Sequence, residues 1–211
     1  WWPRWCHINS KMKANAKTTA AQELGSTHIF RLILGTKKKK WTDVEDLKKD
    51  KQTMKVLNGI WQKEIKMNVN QVWLERYFKL HEKILAEFGG SKWKEFDHSG
   101  AASFMTYISS LVKNKYGISK KDNWDPADMW LISGRTTKQV KDFIEAQVNT
   151  TKVTQTIDKL NQVMRDMYNN KELVGISLKA ISGKTAEFSE YNVSKFTQAM
   201  AKNYRFPDIT L

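Results

Sequence analysis

The sequence predicts an α/β fold in which a small mixed sheet is flanked by helices, and three observations lead to this prediction. Seven stretches repeat apolar residues at the three- and four-residue spacing of a helix. Two short apolar runs are bounded by turn-forming residues, as buried strands are. Hydrophobic residues make up 40% of the 211 residues, which is enough to build the core of one domain.

The helices are predicted from this spacing and from the residues that stop them. The first covers residues 18–34 and ends at Gly35, and another covers residues 71–88 and ends at Gly89. The other predicted helices cover residues 51–67, 101–116, 138–148, 153–168 and 192–204. Residues 41–117 are therefore predicted to be helical, and we expect them to form an insertion within a single domain spanning residues 1–211.

The two predicted strands each carry one charged residue in apolar surroundings. The first covers residues 127–132 and contains Asp128, and the second covers residues 173–179 and ends with Lys179. Because side chains alternate along a strand, Asp128 should share a face with Trp130, and Lys179 should share a face with Ser177. An isolated buried charge is costly, so we expect the two charges to pair or to meet at a metal site. The alternative is a solvated face or a structural ion pair.

The balance of charge is strongly basic. The chain has 36 lysine and arginine residues against 22 acidic residues, a net charge of +14, and residues 1–60 hold thirteen of those bases but only five acids. A basic surface binds phosphate groups through the release of counterions, so the composition favours contact with nucleic acid. An acidic protein partner and an anionic membrane surface are the alternatives. The run Lys37, Lys38, Lys39 and Lys40 is interpreted either as a solvated loop or as a loop that contacts phosphates.

Several other classes of site are disfavoured. No apolar run approaches the ~18 residues of a membrane span, and we expect no membrane partner and a cytoplasmic location. The lone Cys6 excludes an internal disulfide and a cysteine-based zinc cluster. Ser177 has no well-placed histidine for a serine hydrolase. The four histidines show no paired metal-ligand spacing, and they are His7, His28, His81 and His98.

Asp128 stands shortly after Pro126, and a later hydrophobic strand ends in residues 176–179 (Ile-Ser-Leu-Lys). This pattern resembles that of the PD-(D/E)xK, or restriction-endonuclease-like, nuclease superfamily. In that superfamily an aspartate on one strand and a (D/E)-x-K motif on the next surround a divalent metal, and a glutamate on the first helix often joins them. Glu23 on the predicted first helix matches that glutamate. The order helix, strand, strand also matches.

The resemblance implies a metal-dependent DNA nuclease that hydrolyses phosphodiester bonds, with Mg²⁺ or Mn²⁺ as cofactor and double-stranded DNA as substrate. Glu23 and Asp128 would hold the metal, because carboxylate oxygens are ligands that Mg²⁺ prefers. Lys179 would position the attacking water, and Ser177 stands where the superfamily usually has an acidic catalytic residue. Superfamily members are often homodimers. The lysine- and asparagine-rich composition suggests a phage origin, which would place the protein in the host cytoplasm or the virion.

The sequence departs from the superfamily pattern at two points. Ser177 replaces the acidic residue two before the lysine, and Ala127 separates the proline from the aspartate. Glu187 or Glu190 would then have to supply the missing metal ligand. Lys121, Arg135 and Lys184 are candidates for further phosphate contacts, and simple solvation is the alternative for Lys121 and Arg135. If the ligand is lost, the alternative is a catalytically inactive DNA-binding or virion structural protein. A third interpretation is a mostly helical adaptor for an acidic protein.

Overall fold

The computed structural model describes residues 5–8, 16–90, 92–119, 124, 127–149, 157–178 and 188–191. Within these ranges the chain forms helices and strands in a mixed order. The helices are α1 (Ala16–Leu34), α2 (Val44–Lys49), α3 (Lys51–Ile65), α4 (Gln71–Phe88), α5 (Phe104–Tyr116), α6 (Thr137–Asn149) and α7 (Ile157–Asn169). The strands are β1 (Trp5–Ile8), β2 (Trp93–Asp97), β3 (Met129–Ser133), β4 (Leu173–Leu178) and β5 (Phe188–Tyr191).

The five strands form one sheet in the order β2-β3-β4-β1-β5. β1 runs parallel to β4, and the other three neighbouring pairs are antiparallel. The sheet is therefore mixed, and the predicted α/β class is confirmed. β4 is buried along its whole length, as expected for a strand with neighbours on both sides and helices above and below.

Side chains of β3 and β4 alternate between two hydrophobic clusters, one on each face of the sheet. Leu131 and Ile176 belong to the cluster that includes α1, α3 and α4. Trp130, Ile132 and Leu173 belong to the opposite cluster, formed with α5, α6 and α7. The predicted alternation of these two strands is confirmed.

A close approach between α1 and α4 sets the position of α1. The Tyr77 hydroxyl on α4 donates to the Ala21 carbonyl at 3.1 Å and accepts from the Trp61 indole N–H at 3.1 Å. Gly25 makes room for this ring, because a Cβ atom there would lie 2.1 Å from the Tyr77 oxygen. The register of α1 against α4, and hence the placement of every other side chain on α1, depends on this glycine.

The structure corrects one sequence-based expectation and adds two strands that were not predicted, and one expectation lies outside the described residues. Residues 41–117 are not wholly helical, because β2 pairs with β3 at the edge of the sheet. The register of β2 shifts between Trp93 and Glu95, so Trp93 and Phe96 face the same cluster at a spacing that resembles a helix. β1 and β5 were not predicted, since both gain their order from distant partners. The helix predicted over residues 192–204 lies outside the described residues.

Candidate functional site

Asp128 lies immediately before β3 and is tied to the end of β4. Its backbone N–H donates to the Ile176 carbonyl at 2.9 Å. Its Oδ2 atom accepts a hydrogen bond from the Leu178 N–H at 2.5 Å and lies 3.3 Å from the Ser177 hydroxyl, which can donate to it. The two predicted strands are thus neighbours, and Lys179, which lies outside the described residues, follows directly after the residue bonded to Asp128. We refer to Asp128, Ser177 and Leu178 as the aspartate corner.

Ser177 is completely buried, and its hydroxyl faces the Asp128 carboxylate. At the place where the superfamily pattern has an acidic residue, this chain therefore has a neutral side chain that supports the neighbouring aspartate. A buried hydroxyl in this position satisfies part of the hydrogen-bonding capacity of Asp128. Its contact with Asp128 is a structural contribution, which the sequence alone did not distinguish from a catalytic one.

Glu23 lies elsewhere, in a hydrogen-bonded pair with His98. Its Oε2 atom is 3.0 Å from Nε2 of His98, and the Ser99 hydroxyl is 2.8 Å from the other ring nitrogen. Asp97 pairs with Trp130 across the sheet, so the residues that follow β2 lie at the same end of the sheet as those that precede β3. Glu23 thus shares an end of the sheet with Asp128, but its carboxylate is committed to His98.

Glu190 lies on β5, where its backbone pairs with Cys6 of β1. β1 lies between β5 and β4 in the sheet. The Glu190 backbone is therefore two strands, or about 10 Å, from β4, the strand that carries Ser177. The other predicted residues of this region lie outside the described residues, and they are Lys121, Lys179, Lys184 and Glu187.

The described residues do not by themselves complete a metal centre. Among them, no group of three or more histidine, cysteine, aspartate and glutamate side chains could hold a metal ion. At the aspartate corner, Asp128 contributes one carboxylate, and one of its oxygens already has two hydrogen-bond partners. An oxygen-ligated Mg²⁺ would need free oxygen ligands at this corner, and the described neighbours of Asp128 provide a backbone N–H and a hydroxyl.

The predicted phosphate-contacting residues fall into two groups. Lys37, Lys38 and Lys40 are exposed. Lys39 is paired at 2.5 Å with Asp50, the residue that caps α3. Burial would raise the pKa of Asp50, but hydrogen bonds from Lys39 and Thr53 outweigh burial and hold the pKa at about 2.

Arg135 also has structural partners, because its guanidinium lies 3.7 Å from the Glu172 carboxylate and 4.2 Å from the centre of the Phe143 ring. These contacts orient the guanidinium along the protein surface. Arg135 is therefore a weaker candidate for a phosphate contact than the exposed lysines.

A cavity of about 590 Å³ opens beside the C-terminal half of α1. Its lining includes His28 and Arg31 from α1, together with His98 and Ser99 after β2. Burial lowers the pKa of His28, and the nearby positive charges of Arg31, Lys39 and Lys37 lower it further. Several cations therefore gather at this end of α1, and we refer to Arg31 and residues 37–40 as the basic patch.

Sequence reasoning missed the contact among Glu23, His98 and Ser99. Glu23 and His98 are 75 residues apart, and the spacing of the four histidines gives no hint of it. In the sequence, His98 and Ser99 follow a run that lay between two predicted helices, inside the region predicted to be helical. Once β2 is recognised as an edge strand, His98 and Ser99 become residues at the end of a sheet, where functional residues are common.

No family model matches this chain, and no curated protein or solved structure matches it either. The functional interpretation therefore depends on the residues and geometry given above. None of the helices in the described part of the chain has both the length and the apolar character needed to cross a bilayer.

Proposed function

We propose that this protein binds DNA through the basic patch and that its sheet is of the restriction-endonuclease kind, with no complete catalytic metal centre among the described residues. The observation that supports DNA binding best is the set of exposed lysines Lys37, Lys38 and Lys40 shortly after α1, in a chain with a net charge of +14. Exposed lysines exchange condensed counterions for phosphate contacts, and this exchange makes the affinity depend steeply on salt.

The first experiment measures binding of a double-stranded oligonucleotide by fluorescence anisotropy over a series of salt concentrations. The test variant replaces Lys37, Lys38 and Lys40 by glutamine, and a control replaces three dispersed exposed lysines. The control lysines are Lys63, Lys113 and Lys159. Each phosphate contact contributes about 0.9 to the slope of log affinity against log salt, so the test variant should lose up to about 2.7 from this slope. The control should lose much less, although both variants change the net charge equally.

Metal-dependent nuclease activity is the second candidate, and one observation favours it. The Asp128 carboxylate accepts a hydrogen bond from the N–H of Leu178, the residue that precedes Lys179 in the sequence, and this contact supports the candidate. An aspartate and a lysine at the ends of neighbouring strands are what the superfamily resemblance requires. Glu187, outside the described residues, would remain as the source of a second carboxylate.

A cleavage assay distinguishes the two candidates. Supercoiled plasmid is incubated with Mg²⁺ or Mn²⁺ and the wild type, Asp128→Asn or Lys179→Ala, with Asp142→Ala as a control at an exposed surface pair. Nicking that is lost in Asp128→Asn and Lys179→Ala but kept in the control would establish the nuclease. Intact DNA with all four proteins, together with salt-sensitive binding, supports the inactive DNA-binding or virion structural protein.

An adaptor for an acidic protein is the remaining alternative, and the salt series separates it from both candidates. Such a protein would bind DNA weakly, with little dependence on salt, because its cations would be arranged for carboxylates on a folded partner. A flat salt dependence would therefore contradict the proposed function.

A further inference from the structure

Three side chains beside the cavity form a continuous chain of hydrogen bonds. The Ser99 hydroxyl lies 2.8 Å from Nδ1 of His98, and Nε2 of His98 lies 3.0 Å from Oε2 of Glu23. A carboxylate oxygen can only accept a hydrogen bond, so the ring N–H that donates to Glu23 is at Nε2. Nδ1 of the neutral ring then carries no proton and accepts a hydrogen bond from the Ser99 hydroxyl. A hydroxyl next to a base, with the base oriented by a third group, is the arrangement that activates a serine nucleophile.

The burial of these residues suits the same chemistry. The side chains of Glu23 and His98 are 20% and 13% exposed, so the ring is largely shielded from solvent. Ser99 is exposed, and both His98 and Ser99 line the cavity. The hydroxyl is thus within reach of a bound molecule, and the groups that would activate it are held behind it.

The cavity wall indicates what kind of molecule would fit. One part of the wall is apolar, which suits a short acyl group, while Arg31, whose guanidinium donates to the Phe96 carbonyl at 3.4 Å, supplies a positive charge to the same space. The apolar lining comes from Leu24, Val56, Ile60 and Phe96. A cation beside the reacting carbonyl offsets the negative charge that develops on its oxygen during acyl transfer.

We propose that Ser99 is the nucleophile of an esterase site for small carboxylic esters, with His98 as general base and Glu23 as a positioning residue. Ser99 Oγ bonds to the ester carbon as its proton passes to Nδ1 of His98. The bond from that carbon to the alkoxy oxygen then breaks, and the alcohol leaves with the proton from His98. Water then bonds to the acyl carbon as its proton passes to the same nitrogen, the bond from that carbon to Ser99 Oγ breaks, and Oγ takes the proton from His98, which releases the carboxylic acid.

This site shares Arg31 with the basic patch and lies apart from the aspartate corner. It uses neither the exposed lysines of the basic patch nor Asp128. Loss of DNA binding in the lysine variant would therefore leave the reactivity of Ser99 unchanged, and the two proposals can fail independently.

The test uses a fluorophosphonate probe on the full chain, with the labelled residue identified by mass spectrometry. Ser99 Oγ would displace fluoride from phosphorus, and the hydroxyl proton would pass to His98. Labelling of the wild type should map to Ser99, and Ser99→Ala should remove it. General-base assistance accelerates proton transfer by about a hundredfold or more, so His98→Gln should label about a hundredfold more slowly. Ser110→Ala, an exposed serine on α5, should label like the wild type.

Hydrolysis of p-nitrophenyl acetate by the same proteins gives a second readout, and the pattern of loss should match that of labelling. Thermal melting of each variant shows whether it is folded. If His98→Gln does not fold, Glu23→Gln takes its place in the comparison. Absence of labelling at Ser99 in the folded wild type, or equal labelling of the wild type and the folded base variant, would overturn the proposal.

The positioning role of Glu23 has its own signature. The ¹⁵N chemical shifts of the His98 ring should show a proton held on Nε2 in the wild type, and Glu23→Gln should shift the tautomer population towards Nδ1. A contact that only supports the fold would change the melting temperature but leave the labelling rate of Ser99 the same. Unchanged labelling in Glu23→Gln would contradict the assignment.

Discussion

The pair of substitutions Gly25→Ala and Gly59→Ala tests how α1 is held against α4. Both glycines lie within helices, where alanine is favoured over glycine by about 1 kcal/mol. Around Gly59 nothing lies within 4 Å of an added Cβ atom. At Gly25 the added atom would lie 2.1 Å from the Tyr77 oxygen and 2.5 Å from its Cζ atom.

The expected free energies have opposite signs. Gly59→Ala should raise the free energy of unfolding by about 0.5–1 kcal/mol. At Gly25 overpacking costs about 1–3 kcal/mol. Displacing the buried Tyr77 hydroxyl from Trp61 and Ala21 costs about 1 kcal/mol for each lost hydrogen bond. After the helix gain of about 1 kcal/mol is subtracted, Gly25→Ala should be destabilised by about 2–4 kcal/mol.

Urea denaturation followed by circular dichroism measures both variants against the wild type. The difference between the two alanine substitutions, about 3–5 kcal/mol, removes most of the uncertainty in helix propensity because both replacements are chemically the same. Equal effects of the two substitutions, or a stabilised Gly25→Ala, would refute the close packing of α1 on α4 that places Glu23 beside His98.

Substitutions at three further positions have expected outcomes. Asp128→Ala should lower the free energy of unfolding by about 2–3 kcal/mol, because the Leu178 N–H loses a charged acceptor. Asp128→Asn should lower it by less, and equal losses in the two variants would contradict the role of Asp128 as the acceptor of this hydrogen bond. Asp50→Asn should lower the free energy of unfolding by about 1–2 kcal/mol at pH 7. The lowered pKa of Asp50 gives stability that is present above about pH 4 and lost as the pH falls through about 2, so the effect of the substitution should disappear at low pH. A loss that does not change with pH would contradict this role of Asp50. Burial lowers the pKa of His81 below 6.5, so stability should decline as the pH falls below that value, and His81→Phe should flatten this decline in melts at pH 5 and 7.

The parts of the fold that depend on local signals could be predicted from the sequence. The helix predicted over residues 71–88 coincides with α4, because Asn70 caps its start and Gly89 follows its end. The predicted strands around Asp128 and Ser177 are present and adjacent. In these segments the apolar pattern, the turn residues and the tertiary packing all favour the same structure.

The parts that depend on distant partners could not be predicted. β1 and β5 are four-residue strands whose order comes from pairing with each other and with β4, and no local pattern marks them. β2 was hidden because its irregular register gives two buried aromatic residues a helix-like spacing. A strand with such an irregularity carries its signal in the register of its neighbour, which a single sequence does not contain.

The candidate site shows the same division. The neighbourhood of Asp128 and Ser177 followed from two strand patterns and one alternation rule. The partner of Glu23 did not, because the contact with His98 requires α1, α4 and β2 to be placed in three dimensions first. The superfamily resemblance suggested Glu23 as a metal ligand, and in the structure its carboxylate has His98 as a hydrogen-bond partner.

The decisive measurement is the salt dependence of double-stranded DNA binding in the wild type and in the variant with Lys37, Lys38 and Lys40 replaced by glutamine. We expect the affinity of the wild type to fall steeply as salt is raised, and the variant to show a clearly shallower slope than the dispersed-lysine control. Binding with a flat salt dependence, or the same slope in the test and control variants, would contradict the claim that the basic patch is a DNA-binding surface.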